Sequence, residues 1–143
     1  MSNMHHSVIT RYLNENGISS PGEQKQILDS FDQLQPVYEN YIYSGDRLFQ
    51  YIRNTDSAHQ FINTGRWFCL KGATMNSLAI FSGGAGRHLT EFKVGYTIKV
   101  LEGTANKMKM NWDWAGGGMG GSTQIFIPGN LLFAVEALGT HLK

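Results

Sequence analysis

The chain has one cysteine, Cys69, among 143 residues. It can therefore form no intrachain disulfide and no multi-cysteine zinc knuckle, and it suits reducing surroundings. Proline is scarce, with three residues, and no tract is low in complexity, so no flexible linker divides the chain. Long apolar runs are missing as well, and no segment has the length needed to span a bilayer. Met1 to Leu13 carries His5, His6 and Arg11 in place of the apolar core of a signal peptide. The expectation is a protein with no membrane partner and a cytoplasmic site of action, reached, if the protein is exported, by a specialised route without a signal peptide. The five histidines show no HxH or HxxxH spacing, which argues against zinc. No period of 20 to 50 residues repeats.

What is present is enough for one folded domain, residues 1–143. The chain is 41% hydrophobic and 12% aromatic and can bury a core. Its surplus is glycine. Of 17 glycines only Gly17, Gly22 and Gly45 precede residue 64, and the other fourteen raise the last eighty residues well above the usual share of about 7%. Charge divides at the same place: residues 1–63 carry four basic and seven acidic side chains, net −3, and residues 64–143 carry eight and four, net +4. A glycine-rich, mildly basic half suggests a backbone-built site for an anionic ligand.

The first half, residues 1–63, reads as helical. Val8, Ile9, Tyr12 and Leu13 form an apolar face that Gly17 closes. Ser20-Pro21-Gly22-Glu23 marks a second start, with Ser20 as cap, Pro21 in the first position and Glu23 completing a capping box. Ile27, Leu28, Phe31 and Leu34 follow at helical spacing, and Val37 to Arg53 continues it. Thr55 or Asp56 could cap a last helix through Ile62.

After residue 64 the period changes. Residues 66–70, 77–81, 96–101 and 124–127 are short β-branched or aromatic runs bounded by glycine, asparagine or proline, and they read as strands. Between the second and third lie a glycine turn, Ser82 to Arg87, and a short polar stretch from His88 to Val94 read as a helix. Strand, turn, helix, strand is a crossover that favours parallel pairing. The expected class is α+β, with N-terminal helices packed on a mostly parallel sheet of about four strands.

The Ser82 to Arg87 turn has two readings. Free backbone N–H groups at a helix start attract phosphate, with Gly83 and Gly84 allowing close approach and Arg87 adding charge; equally, the glycines serve a tight turn needing positive φ. The glycine-rich half has four carboxylates: Glu91, Glu102, Asp113 and Glu136. Glu91 reads as a solvated residue of the expected helix. Glu102 follows Val100-Leu101 at a strand end, where open sheets place ligands. Glu136 lies within Leu131 to Leu138, and is a solvated residue if that segment is a terminal helix, or a site carboxylate if it is a strand or loop. Asp113 stands between Trp112 and Trp114, an aromatic pair suited to stack on a flat ring or to plug the core. Cys69, in an apolar strand, reads as a buried inert thiol. Lys107-Met108-Lys109-Met110 reads as a solvated edge, and nucleic acid is not an expected partner.

Four segments in order resemble the ADP-ribosyl cyclase and NAD glycohydrolase family, including its bacterial toxin-like members. Ile80-Phe81-Ser82-Gly83 is similar to the family's Trp-Ser-Gly turn. Tyr96-Thr97-Ile98-Lys99-Val100-Leu101-Glu102-Gly103-Thr104 is similar to its Thr-Leu-Glu-x-Thr motif. Ser122 to Ile127 is like its late apolar strand, and Phe133-Ala134-Val135-Glu136 like the segment carrying its catalytic glutamate. The resemblance implies a cyclase-like fold and cleavage of the nicotinamide N-glycosidic bond of NAD, which is a substrate and not a cofactor. It implies Glu136 and Glu102 as the catalytic pair, with Phe81, Ser82, Gly83, Gly84 and Arg87 binding substrate and Trp112 or Trp114 offering a second ring wall. The family's company implies a toxin or effector role and an immunity protein as partner. A rival resemblance links the Gly116 to Gly121 run and the strand after it to necrotising-toxin NAD glycohydrolases and ADP-ribosyltransferases, in which case Gln124 and Arg66 would matter. A non-catalytic module that binds a nucleotide or protein is the third reading.

Overall fold

The computed structural model describes residues 2–32, 34–53, 65–72, 87–106 and 121–141. Two helices come first, α1 (Ser2–Glu15) and α2 (Pro21–Asp29). Ile9, Tyr12 and Leu13 fall on one face of α1 and are buried. Gly17, at φ +83°, takes the left-handed conformation that lets the chain leave the helix. α2 begins after Ser20 with Pro21 in its first turn, where the missing N–H costs nothing. The Ser20 side chain makes no capping hydrogen bond, so the expected capping box is not closed. Ile27 and Phe31 are buried, whereas Leu34, 91% exposed, lies beyond the helix.

The remaining described elements are a 3-10 helix (Gly129–Ala134) and seven strands: β1 (Tyr38–Ile42), β2 (Arg47–Arg53), β3 (Gly65–Cys69), β4 (Arg87–Val94), β5 (Ile98–Thr104), β6 (Thr123–Pro128) and β7 (Val135–His141). They form one sheet in the order β1-β5-β6-β3-β2-β4-β7, antiparallel at every pairing. This overturns the expected mostly parallel, four-stranded, cyclase-like sheet. The parallel expectation depended on a crossover helix over residues 88–94. That segment is β4, and its buried residues Thr90, Phe92 and Val94 alternate with the strand period of two.

The helical reading of residues 37–53 fails for a related reason. β1 buries only Ile42, so its apolar residues carry no clean alternation. The chain then turns through Ser44 and Gly45, the latter at φ +101°, and Tyr43 N donates to Asp46 Oδ2 at 2.8 Å. The expected strand at 77–81 and helix at 55–62 lie outside the described residues.

The sheet curls. Successive strands twist by roughly 20–25° each, and the curl brings Ile42 and Ile98, from β1 and β5, into one apolar cluster with Val94 and Val135, from β4 and β7 at the other side. Leu132 and Ala134 of the 3-10 helix close one end of this concave face. On the opposite face α1 and α2 pack over Leu101, Phe126 and Trp67. Tyr12 Oη donates to Lys99 O at 2.6 Å, which ties α1 to β5. No helix among the described residues is long and apolar enough to cross a membrane.

Candidate functional site

Strand register sets one row of residues across the concave face. Tyr38 lies opposite Glu102, Glu102 opposite Ile125, and Ile125 opposite Phe68. The Phe49–Cys69 pair sets Gln50 beside Phe68, and Gln50 lies opposite Thr90. Ile125 and Phe68 belong to the packed apolar core, with polar groups on either side. Glu102 and Gln50 are three strands apart, roughly 14 Å at about 4.8 Å per strand, with packed core between them.

On the first side, Tyr38 Oη donates to Glu102 Oε2 at 2.9 Å and Asn40 Nδ2 donates to Glu102 Oε1 at 2.9 Å. Glu102 is half-buried, and Tyr38 and Asn40 are exposed. The hydrogen bond to Glu102 raises the Tyr38 phenol above its ordinary value, with partial burial and the carboxylate charge adding to the effect. On the other side, Gln50 Nε2 donates to Trp67 O at 2.9 Å and its Oε1 receives Arg66 Nη1 at 3.5 Å. Thr90, only 1% exposed, has a hydroxyl with no hydrogen-bond partner among the described residues. Leaving such a group unpaired costs about 1–3 kcal/mol. Polar residues in the middle of a buried row are a departure from apolar patterning that function commonly explains.

Among the described carboxylates of the glycine-rich half, Glu102 alone lies in this row. Glu136 is exposed, near the start of edge strand β7, opposite Lys93. Its neighbour Val135 belongs to the concave cluster, so alternation puts Glu136 on the other face. The structure therefore does not bring Glu102 and Glu136 together. Glu91 belongs to β4 and not to the helix expected there, and pairs with Arg47 at 3.8 Å. Arg87 occupies the first position of β4, opposite Arg53. Phe81, Ser82, Gly83, Gly84, Trp112 and Trp114, with Asp113, lie outside the described residues.

The rival pair is also separated. Arg66 and Gln124 are on neighbouring strands, but Arg66 lies opposite Ile127 and Gln124 opposite Cys69, which alternation assigns to opposite faces. Gln124 Nε2 donates to Ser30 O at 3.0 Å, on the helix side. Cys69 is the buried thiol expected: Sγ donates to Phe49 O at 3.3 Å, and burial pushes its pKa up to about 12. Tyr38, Asn40, Gln50 and Thr90 escaped the sequence reading. The signal for Gln50 was the alternation Leu48-Gln50-Ile52, hidden by the helical reading of that segment, and that for Thr90 the alternation Thr90-Phe92-Val94 in β4. β1, with one buried residue, offered none for Tyr38 and Asn40.

No family model matches the sequence, and no curated protein is similar to it. Solved structures do share the fold. One is Tse6, solved in complex with Tsi6, at 18% identity and a TM-score of 0.76 over 96% of each chain. Another is Rhs1-CT, solved in complex with its cognate immunity protein RhsI1, at 15% identity and a TM-score of 0.51 over 74% of this chain and 80% of that one. At these identities the likeness is one of fold.

Proposed function

We propose that the protein is a toxin-type effector domain that cleaves the nicotinamide N-glycosidic bond of NAD beside Glu102, at the margin of its sheet, and that an immunity protein restrains it. The placement of Glu102 carries this reading: a half-buried carboxylate at the margin of the apolar core, held by two hydrogen bonds from β1. The motif around Glu102 supports NAD as the substrate, and that support does not depend on the cyclase-like fold, which is absent. The fold shared with two proteins solved with partners, one of them an immunity protein, supports the effector role.

The chemistry needs little machinery. Nicotinamide leaves a pyridinium, so the electron pair of the breaking C1′–N bond neutralises the ring nitrogen and no general acid is required. The ribosyl C1′ becomes cationic, and the Glu102 carboxylate stabilises that charge as a glycosidase carboxylate does. Water then bonds to C1′ and loses a proton, giving nicotinamide and ADP-ribose. The apolar core that begins at Ile125, the cross-strand neighbour of Glu102, lowers the local dielectric and strengthens the electrostatic term.

Incubation of the purified protein with NAD, followed by chromatography, tests the reading. Time-dependent release of free nicotinamide is the expected result. Saturable NAD binding without release would favour the non-catalytic module.

A further inference from the structure

We infer that Tyr38 and Asn40 are positioning residues that hold the Glu102 carboxylate in a single orientation toward the concave face. The inference rests on the reading that Glu102 belongs to the reacting site, and it adds two residues from a strand with no part in that reading. A carboxylate has about four lone-pair positions. Tyr38 Oη takes one on Oε2 and Asn40 Nδ2 takes one on Oε1, both from the β1 side. The remaining lone pairs are left for a ligand.

The clamp is built into the strand. Tyr38 is the direct cross-strand partner of Glu102, and Asn40 is two residues further on the same face. Asn40 is itself held, because its Oδ1 accepts Tyr41 N at 2.9 Å and this directs Nδ2 toward Glu102. Glu39, between them, faces the other side of the sheet and meets Arg11 at 3.4 Å and Lys99 at 3.3 Å. The alternation of β1 thus assigns one face to Glu102 and the other to surface ion pairs. A freely rotating carboxylate would sample several orientations, and fixing it in advance is the advantage that preorganised sites hold over solvent.

The test compares wild type with Tyr38→Phe, Asn40→Ala and Glu102→Gln. Tyr38→Phe removes one oxygen from an exposed side chain and leaves the fold intact. For each of Tyr38→Phe and Asn40→Ala, kcat for nicotinamide release should fall about tenfold, as expected for loss of a hydrogen bond to a charged group. KM should stay within about twofold. Independently of any activity, Tyr38 titration followed by NMR of ring-labelled tyrosine should move to lower pH in Glu102→Gln.

Wild-type kcat in both clamp variants, with Glu102→Gln inactive, would overturn the positioning role and leave the NAD reading standing. A Tyr38 titration indifferent to Glu102→Gln would overturn the clamp itself. Absence of nicotinamide release by wild type would end the NAD reading, and the titration alone would then decide whether the clamp exists.

Discussion

At the scale of single residues, burial separates the side chains able to do chemistry from those that cannot. Cys69 is buried, hydrogen-bonded to a carbonyl and pushed up to about 12 by burial. Alkylating reagents at neutral pH should leave it unmodified in the folded protein and label it fully in denaturant. Tyr12 is also raised, first by burial and then by the charges of Glu39 and Glu15. Both groups stay protonated in the fold at pH values where the unfolded chain ionises, so the unfolded state binds fewer protons there and stability falls as pH rises. For Cys69 the window runs from its ordinary 9.0 to about 12, and for Tyr12 it opens at 10.0. Urea midpoints measured across this range should decline steadily, whereas a flat profile would contradict the burial of both groups.

At the scale of elements, the sequence told helices from strands well where periodicity was clean and poorly where exposure blurred it. α1 and α2 were legible because apolar residues recur at helical spacing, and β3, β5 and β6 because short β-branched or aromatic runs stand between glycine, asparagine or proline. β4 was missed because its polar residues outnumber its apolar ones, although Thr90, Phe92 and Val94 keep strict alternation. β1 was missed because an edge strand with one buried residue has no pattern to read. With β1 went Tyr38 and Asn40, the partners of Glu102, one of the two carboxylates that the resemblance implied. Long-range register decided the rest, since no local signal says that Glu102 and Glu136 stand on opposite faces.

β5 makes its own prediction. A Cβ at Gly103 would lie 2.6 Å and 2.8 Å from ring atoms of Phe31 and 3.2 Å from Val37 Cγ2. Phe31 is fully buried and packed edge-on to Trp67 at 5.2 Å, so it has little room to yield. Gly103→Ala should destabilise the protein by about 1–3 kcal/mol through overpacking, measured by urea denaturation. An unchanged midpoint would show that α2 and the segment after it shift freely over the sheet.

At the scale of the whole molecule, a curled antiparallel sheet gives two unlike faces. Helices cover one, where Trp67 and Phe126 pack with rings 5.0 Å apart, and the other carries an apolar cluster with polar groups at its margin. Half of the glycine surplus that pointed to a backbone-built anion site, seven of the fourteen glycines after residue 64, falls in segments outside the described residues. The proposed site depends on side chains instead, with Glu102 held from β1 by Tyr38 and Asn40.

The central claim is that cleavage depends on the concave-face carboxylate. Nicotinamide release from NAD, measured side by side for wild type, Glu102→Gln and Glu136→Gln, tests it most directly. The account predicts a loss of at least about a hundredfold for Glu102→Gln, the scale of removing a transition-state electrostatic contact, with Glu136→Gln close to wild type. Full activity in Glu102→Gln together with an inactive Glu136→Gln would contradict it.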